Sequence, residues 1–221
     1  MRFPIDPATP VARPEWPLYG LLALALYLGF FHRLGAVPLF DVDEGAFGQA
    51  TREMFLRGDF LATYLNGQPR YDKPILSYWL QAASLAALSD DEFAFRLPSA
   101  LAATAWTLLV FLFGRRVADA RTGLLAALLL ATSLAVTVIG KAATADALLN
   151  LLLAASMMSL YLHLREGRRL WLYAAAAAMG LGFLTKGPVA VVIPAGVSLL
   201  YCAGRGEWRA WSRLATDWRA W

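Results

Sequence analysis

The stretch "LPSALAATAWTLLVFLFG", Leu97–Gly114, runs 18 residues without a charge. A bilayer's hydrocarbon core is about 30 Å thick and takes about 20 apolar helical residues to cross, so this stretch predicts a spanning helix. Arg96 bounds it on one side and Arg115-Arg116 on the other. Five more apolar segments share its character: Trp16–Phe31, Gly123–Gly140, Ala142–Leu164, Leu170–Thr185 and Pro188–Ala203. The composition agrees, with 59% hydrophobic and 16% charged residues and a mean hydropathy of +0.51, more apolar than an ordinary soluble domain. The expectation is an all-α integral membrane chain of about six spans.

The charges give that chain a direction. Twelve of the 20 Lys and Arg fall in the N-terminal tail, Arg115–Arg121, Arg165–Arg169 and Arg205–Arg219. In a six-span chain these segments share one side, which the positive-inside rule makes cytoplasmic. Gly35–Arg96 then lies on the opposite, non-cytoplasmic side. The net charge of +4 reflects topology and does not point to nucleic acid; such basic segments contact anionic membrane lipids. All three lysines, Lys73, Lys141 and Lys186, fall on the opposite face. The first apolar run reads as an uncleaved signal-anchor because further spans follow it. A single cysteine, Cys202, excludes an intramolecular disulfide or a cysteine-based metal site.

The 62 residues of Gly35–Arg96 form a patterned polar interruption. Phe47, Ala50, Met54 and Phe55 fall on one side of a helix starting near Glu44, with Gln49, Arg52, Glu53 and Arg57 on the other. This predicts a helix along the interface. Gly58-Asp59 ends it and Asn66-Gly67 marks a turn. Pro74–Leu88 is too short to span and reads as a second juxtamembrane helix opened by Pro74. Asp90-Asp91-Glu92 makes an acidic turn, and Pro98 starts the next span.

Several polar residues in this setting are candidates for chemistry. Asp43 either caps the interfacial helix, assisted by Asp41 or Glu44 through the helix dipole, or serves as a general base toward an amphiphilic acceptor. Asp72-Lys73-Pro74 is either an exposed salt-bridging pair or a functional one, with Lys73 holding a phosphate as a point charge and Asp72 offering an oxygen to a metal. Asp146 lies one turn into an apolar helix, where ionisable groups are functional or paired; its structural alternative is an ion pair with Lys141. Lys186 is either a snorkelling anchor or an anion contact. His32 and His163 sit at span ends and are set aside. No Gly-rich phosphate loop, GxSxG elbow or HExxH motif occurs, so no nucleotide is expected.

The segments "DEGAFGQATREM" (Asp43–Met54), "LNGQPRYDKPILSYWLQA" (Leu65–Ala82), "RLPSA" (Arg96–Ala100), "KAATADALL" (Lys141–Leu149) and "LTKGPVAVVIP" (Leu184–Pro194) resemble glycosyltransferase family 39. That family includes bacterial enzymes akin to lipid A aminoarabinose transferases and protein O-mannosyltransferases. The resemblance implies a GT-C fold and transfer of a hexosyl or pentosyl group, on the periplasmic side, from a polyprenyl-phosphate-linked donor to a lipid, protein or glycan. It implies catalytic roles for Asp43 and Asp146, and substrate contacts at Glu44, Lys73, Lys141 and Lys186. It also implies a divalent metal, zinc or similar, at Asp72. Gly45-Ala46-Phe47 departs from the family's Pro-Arg-Tyr, and Ile75 replaces a second proline. Family members run longer, and the histidines of the family's metal site have no counterpart here. Residues 1–221 are therefore expected to be the N-terminal half of a GT-C transmembrane domain, with 35–96 as its first periplasmic loop.

Two other classes compete with the enzyme. One is a non-catalytic membrane protein that binds lipid-linked sugar; the other is a transporter. Charges gathered at one face, instead of deep within several spans, favour surface chemistry over transport.

Overall fold

The computed structural model describes residues 16–216. The N-terminal tail, with Arg2 and Arg13, and the last residues, with Arg219, lie outside the described residues, as does the side chain of Asp41. Helix α1 (Trp16–Leu26) widens into a π-turn at Tyr27–Phe31. The polar interruption holds α2 (Asp41–Arg57), a hairpin of β1 (Tyr64–Leu65) and β2 (Gln68–Pro69), and α3 (Leu76–Ala87). Then come α4 (Glu92–Val117), α5 (Ala120–Ala131), α6 (Leu134–Lys141), α7 (Asp146–Glu166), α8 (Arg169–Lys186), α9 (Val189–Gly204) and α10 (Trp208–Thr216). The fold is mostly helical, and the hairpin is a small departure from the all-α expectation.

The six-span expectation needs correction. Among the described residues only α4 and α7 are long and apolar enough to cross a membrane, and α5 with α6 makes a third if the pair counts as one span. That pair bends by 66° at Thr132-Ser133, where the expected Gly123–Gly140 span breaks. Trp16–Phe31 and α9 are apolar but 16 residues long, about 24 Å at 1.5 Å per residue, short of the hydrocarbon thickness. Helix α8 reaches its 18 residues only by including Arg169 and Lys186 at its ends.

Two further boundaries moved for local reasons. Helix α4 starts at Glu92, six residues before Pro98, because Asp91 accepts a hydrogen bond from the Ala94 N–H at 2.8 Å and caps it. Pro98 lies inside the helix and cannot bond the Ala94 carbonyl. The Ser84 hydroxyl of α3 donates to that oxygen instead, at 2.7 Å. Helix α7 starts at Asp146 and not at Ala142, because Ala142–Ala145 form a non-helical link.

Tight packing of α4 on α5 has a clear cause. A Cβ on Gly114 would stand 2.7 Å from the Gly123 Cα, and one on Gly123 would stand 2.5 Å from the Phe111 oxygen. Two facing glycines thus set the backbone approach, as small residues do between membrane helices. Helix α7 fills the space against α4 and α8. This arrangement carries the N-terminus of α7 and the C-terminus of α8 to the same end of the bundle as α2 and α3.

In the polar interruption, Phe47, Ala50 and Met54 of α2 pack with Tyr78 and Ala145, as the periodicity required. Phe55 stays partly exposed. Glu53, expected on the wet side, is buried and accepts from the Gly67 N–H at 3.1 Å, which pins the hairpin to α2. Asn66 (φ 53°) and Gly67 (φ 80°) are both left-handed, as a two-residue type I′ hairpin turn demands.

Candidate active site

Glu44 and Arg96 organise this end of the molecule. They are 6% and 3% exposed. Arg96 Nε and Nη2 donate to the two Glu44 oxygens at 3.0 and 2.8 Å. The remaining guanidinium hydrogens go to the carbonyls of Leu34, Val37 and Pro38 at 2.8–3.0 Å, so all five donors are used. Glu44 also accepts from the N–H groups of Phe40 and Ala143, each at 2.6 Å. Burial pushes the Glu44 carboxyl up, but Arg96 and the two backbone donors outweigh it and leave the group below its ordinary value. Four hydrogen bonds make Glu44 a structural brace in this arrangement.

The brace acts on the link before α7. Ala143 is held at its N–H by Glu44 and at its carbonyl by Gln81 Nε2 at 3.1 Å. Gln81 in turn accepts from Thr51 Oγ1 at 2.9 Å. Ser99 Oγ donates to the Thr144 carbonyl at 3.1 Å. Three helices therefore clamp the link that presents Asp146.

Asp146 opens α7, where the helix dipole favours a carboxylate. Its ion-pair partner is Lys186, at the end of α8, and Thr144 Oγ1 donates to it at 3.3 Å. The expected alternative, pairing with Lys141, gives way: Lys141 Nζ donates to the carbonyls of Leu28 and His32 at 3.2 and 3.1 Å. Lys141 thereby caps the end of the first helix. Gly187 (φ 76°, ψ −148°) turns the chain immediately after Lys186, a conformation that favours glycine.

Asp43 lies in the first turn of α2, exposed, with no hydrogen bond or ion pair among the described residues. It does not cap the helix. The N-cap position is Phe40, whose N–H is taken by Glu44. Asp43 is nonetheless joined through its neighbour Glu44 to Ala143, three residues before Asp146.

Asp72 and Lys73 precede α3. Lys73 Nζ lies 3.2 Å from one Asp72 oxygen and Arg70 Nη2 lies 2.9 Å from the other. Lys73, then Arg70, holds the Asp72 carboxyl below its usual range. This donor set does not fit a metal ion: two cations occupy the carboxylate. No group of three or more His, Cys, Asp or Glu gathers around a point among the described residues. Beside it the Tyr78 hydroxyl is buried near Arg70, and burial pushes it up against the opposing effect of that guanidinium. Tyr78 stacks on Phe47 at 5.0 Å between ring centroids.

The sequence reasoning missed Arg96, Gln81 and Thr51. Arg96 did carry a signal, as a charge embedded between Phe95 and Leu97-Pro98. Gln81 and Thr51 are ordinary residues of amphipathic helices and carried none.

The dolichyl-phosphate-mannose-protein mannosyltransferase family matches residues 72–218. The chain belongs to this family. The undecaprenyl phosphate-alpha-4-amino-4-deoxy-L-arabinose arabinosyl transferase of Aeromonas hydrophila is 35% identical over 186 residues, which cover 81% of this chain and 34% of that protein. The enzyme of that name from Pseudomonas aeruginosa is 31% identical over 196 residues, covering 86% and 36%. The crystal structure of ArnT from Cupriavidus metallidurans bound to undecaprenyl phosphate superposes with a TM-score of 0.84 at 25% identity, covering 92% of this chain and 38% of that one. Its apo form gives 0.81. The fold is therefore that of ArnT, a GT-C membrane fold. The chain spans about a third of the length of the curated relatives it matches.

Proposed function

We propose that this chain belongs to a glycosyltransferase of the bacterial inner membrane. Its donor is a sugar on a polyprenyl phosphate, of which undecaprenyl phosphate-linked aminoarabinose is the nearest chemical example among the relatives. Its acceptor is a lipid, with a protein or glycan hydroxyl as the alternative outcome, and the chemistry runs at the periplasmic face. The observation that carries this reading is the ion-paired Lys186–Asp146 end, braced to the helix of Asp43, in a chain that superposes on ArnT with undecaprenyl phosphate bound.

The roles follow from the surroundings of each group. Asp43 is an unpaired carboxylate at a helix start and takes or orients the acceptor proton. The acceptor oxygen forms a bond to the anomeric carbon, the bond from that carbon to the phosphate oxygen breaks, and the phosphate leaves with the electron pair. Lys186 and Lys73 stabilise the departing phosphate charge in a poorly hydrated site. Asp146, already paired, holds Lys186 in place.

Transfer from undecaprenyl phosphate-linked sugar to endogenous lipid in membranes carrying the protein tests this reading. Sugar-dependent labelling of the lipid fraction that disappears in Asp43→Asn is expected. Lipid-phosphate binding with no transfer to any acceptor would instead favour a non-catalytic carrier.

A further inference from the structure

At the end of the bundle opposite Asp43 and Asp146, α4 and α7 leave a groove of about 530 Å3. Leu109, Leu112 and Phe113 of α4 and Leu162 of α7 line its walls, and Arg115 and Arg116 stand at its mouth. Arg116 is committed: its Nε and Nη2 donate to the two oxygens of Glu166 at 2.8 and 2.9 Å. Its guanidinium also lies 5.0 Å from the Trp171 ring, and Trp171 Nε1 donates to Glu166 at 2.9 Å. Arg115 is exposed and has no hydrogen-bond or ion-pair partner among the described residues.

This end of the bundle is basic in sequence. Arg115 and Arg116 close α4, and Arg165, Arg168 and Arg169 flank Glu166 at the junction of α7 and α8; Arg165 itself donates to the Tyr161 hydroxyl. The next acid, Asp119, accepts from the Thr122 N–H and caps α5. From Leu109 to Arg116 a helix rises about 10 Å, against roughly 15 Å for one leaflet of hydrocarbon. The groove thus takes about two-thirds of the length of a single-leaflet acyl chain, and its cation sits where that lipid's phosphate would lie. A zwitterionic lipid offers Arg115 the same phosphate but brings its own ammonium to a mouth that already carries an uncompensated cation, so a lipid of net negative charge is favoured. Basic pockets between membrane helices recognise anionic headgroups in this way.

We propose that this groove binds an anionic diacyl phospholipid, its phosphate against Arg115 and one acyl chain between α4 and α7. The site is independent of the transfer reaction and lies at the other end of the molecule.

Native mass spectrometry of the purified protein, reconstituted with phosphatidylglycerol or phosphatidylcholine and then stripped with detergent, tests it. One phosphatidylglycerol per chain should be retained where phosphatidylcholine is lost. Arg115→Ala should weaken retention roughly fivefold, the share of one basic residue at a lipid surface. Leu112→Trp should abolish it by filling the groove. Both positions are exposed, so neither variant removes support from the fold. Equal retention of the two lipids, or unchanged retention in both variants, overturns the proposal. So does a Leu112→Cys thiol, in a Cys202→Ser background, that stays unreactive toward a membrane-soluble maleimide in lipid-free detergent, because protein then fills the groove.

Discussion

Arg96 and Glu44 form a two-pronged ion pair across 52 residues of sequence, with side chains 4% and 7% exposed. Breaking a buried pair by removing one partner leaves an uncompensated charge and costs about 3–5 kcal/mol. Arg96→Ala should therefore lower the thermal midpoint in detergent sharply. Glu44→Gln keeps much of the hydrogen bonding and should cost less. A midpoint for Arg96→Ala indistinguishable from that of the parent protein would show that the pair is not a brace.

The same pair sets a pH response. The carboxyl of Glu44 is depressed below its ordinary 4.5 in the folded protein. Its stabilising contribution is complete above that value and is lost as pH falls through the depressed folded value. Unfolding midpoints measured downward from pH 5 should drop, and Glu44→Gln should flatten that drop. The two proteins should converge at the acid end.

Asp43 offers a cleaner separation of chemistry from stability than its neighbour. It is exposed and caps nothing, so Asp43→Asn should change stability by no more than about 0.5 kcal/mol, as at other unengaged surface positions. Sugar transfer should fall by roughly a hundred- to ten-thousand-fold if the carboxylate handles the acceptor proton. Near-normal turnover would move the role of base elsewhere.

Lys186→Ala should weaken polyprenyl-phosphate binding while leaving Asp146 in place on α7. Lys141→Ala, which removes a contact to two backbone carbonyls, should lower stability with little change in lipid-phosphate affinity. Titrating both variants in nanodiscs with undecaprenyl phosphate distinguishes them. Equal losses of affinity in the two would contradict the division of labour.

Topology is open to direct labelling. Gln68, the first residue of β2, and Arg168, between α7 and α8, should lie on opposite sides of the membrane. A cysteine at position 68 should react with an impermeant thiol reagent in intact cells, and one at 168 only after permeabilisation. The reverse pattern would invert the proposed orientation.

The parts of the fold most legible in the sequence were those set by local pattern. The Phe47, Ala50 and Met54 periodicity, the Asn66-Gly67 turn and the helix after Pro74 depend on neighbours within a few residues. Apolar length was a poorer guide. It could not reveal the break at Thr132-Ser133, because both sides are equally hydrophobic and nothing nearby breaks a helix outright. In the candidate site, residue types pointed to Asp146 and Lys186 but not to their pairing, since Lys141 is closer in sequence. Long-range partners such as Arg96 and Ala143 for Glu44 leave almost no local trace. They are chosen by the packing of α2, α4 and α7.

The clasp around Glu44 also orders the protein's birth. Its first strong partner, Arg96, leaves the ribosome 52 residues after it, and Ala143 follows 99 residues after it. At about 5–20 residues per second, several seconds separate the two. During that interval α2 can already be fastened to α4, while one oxygen of Glu44 still awaits the Ala143 N–H. Closure of the link before α7 thus waits until α6 has been delivered.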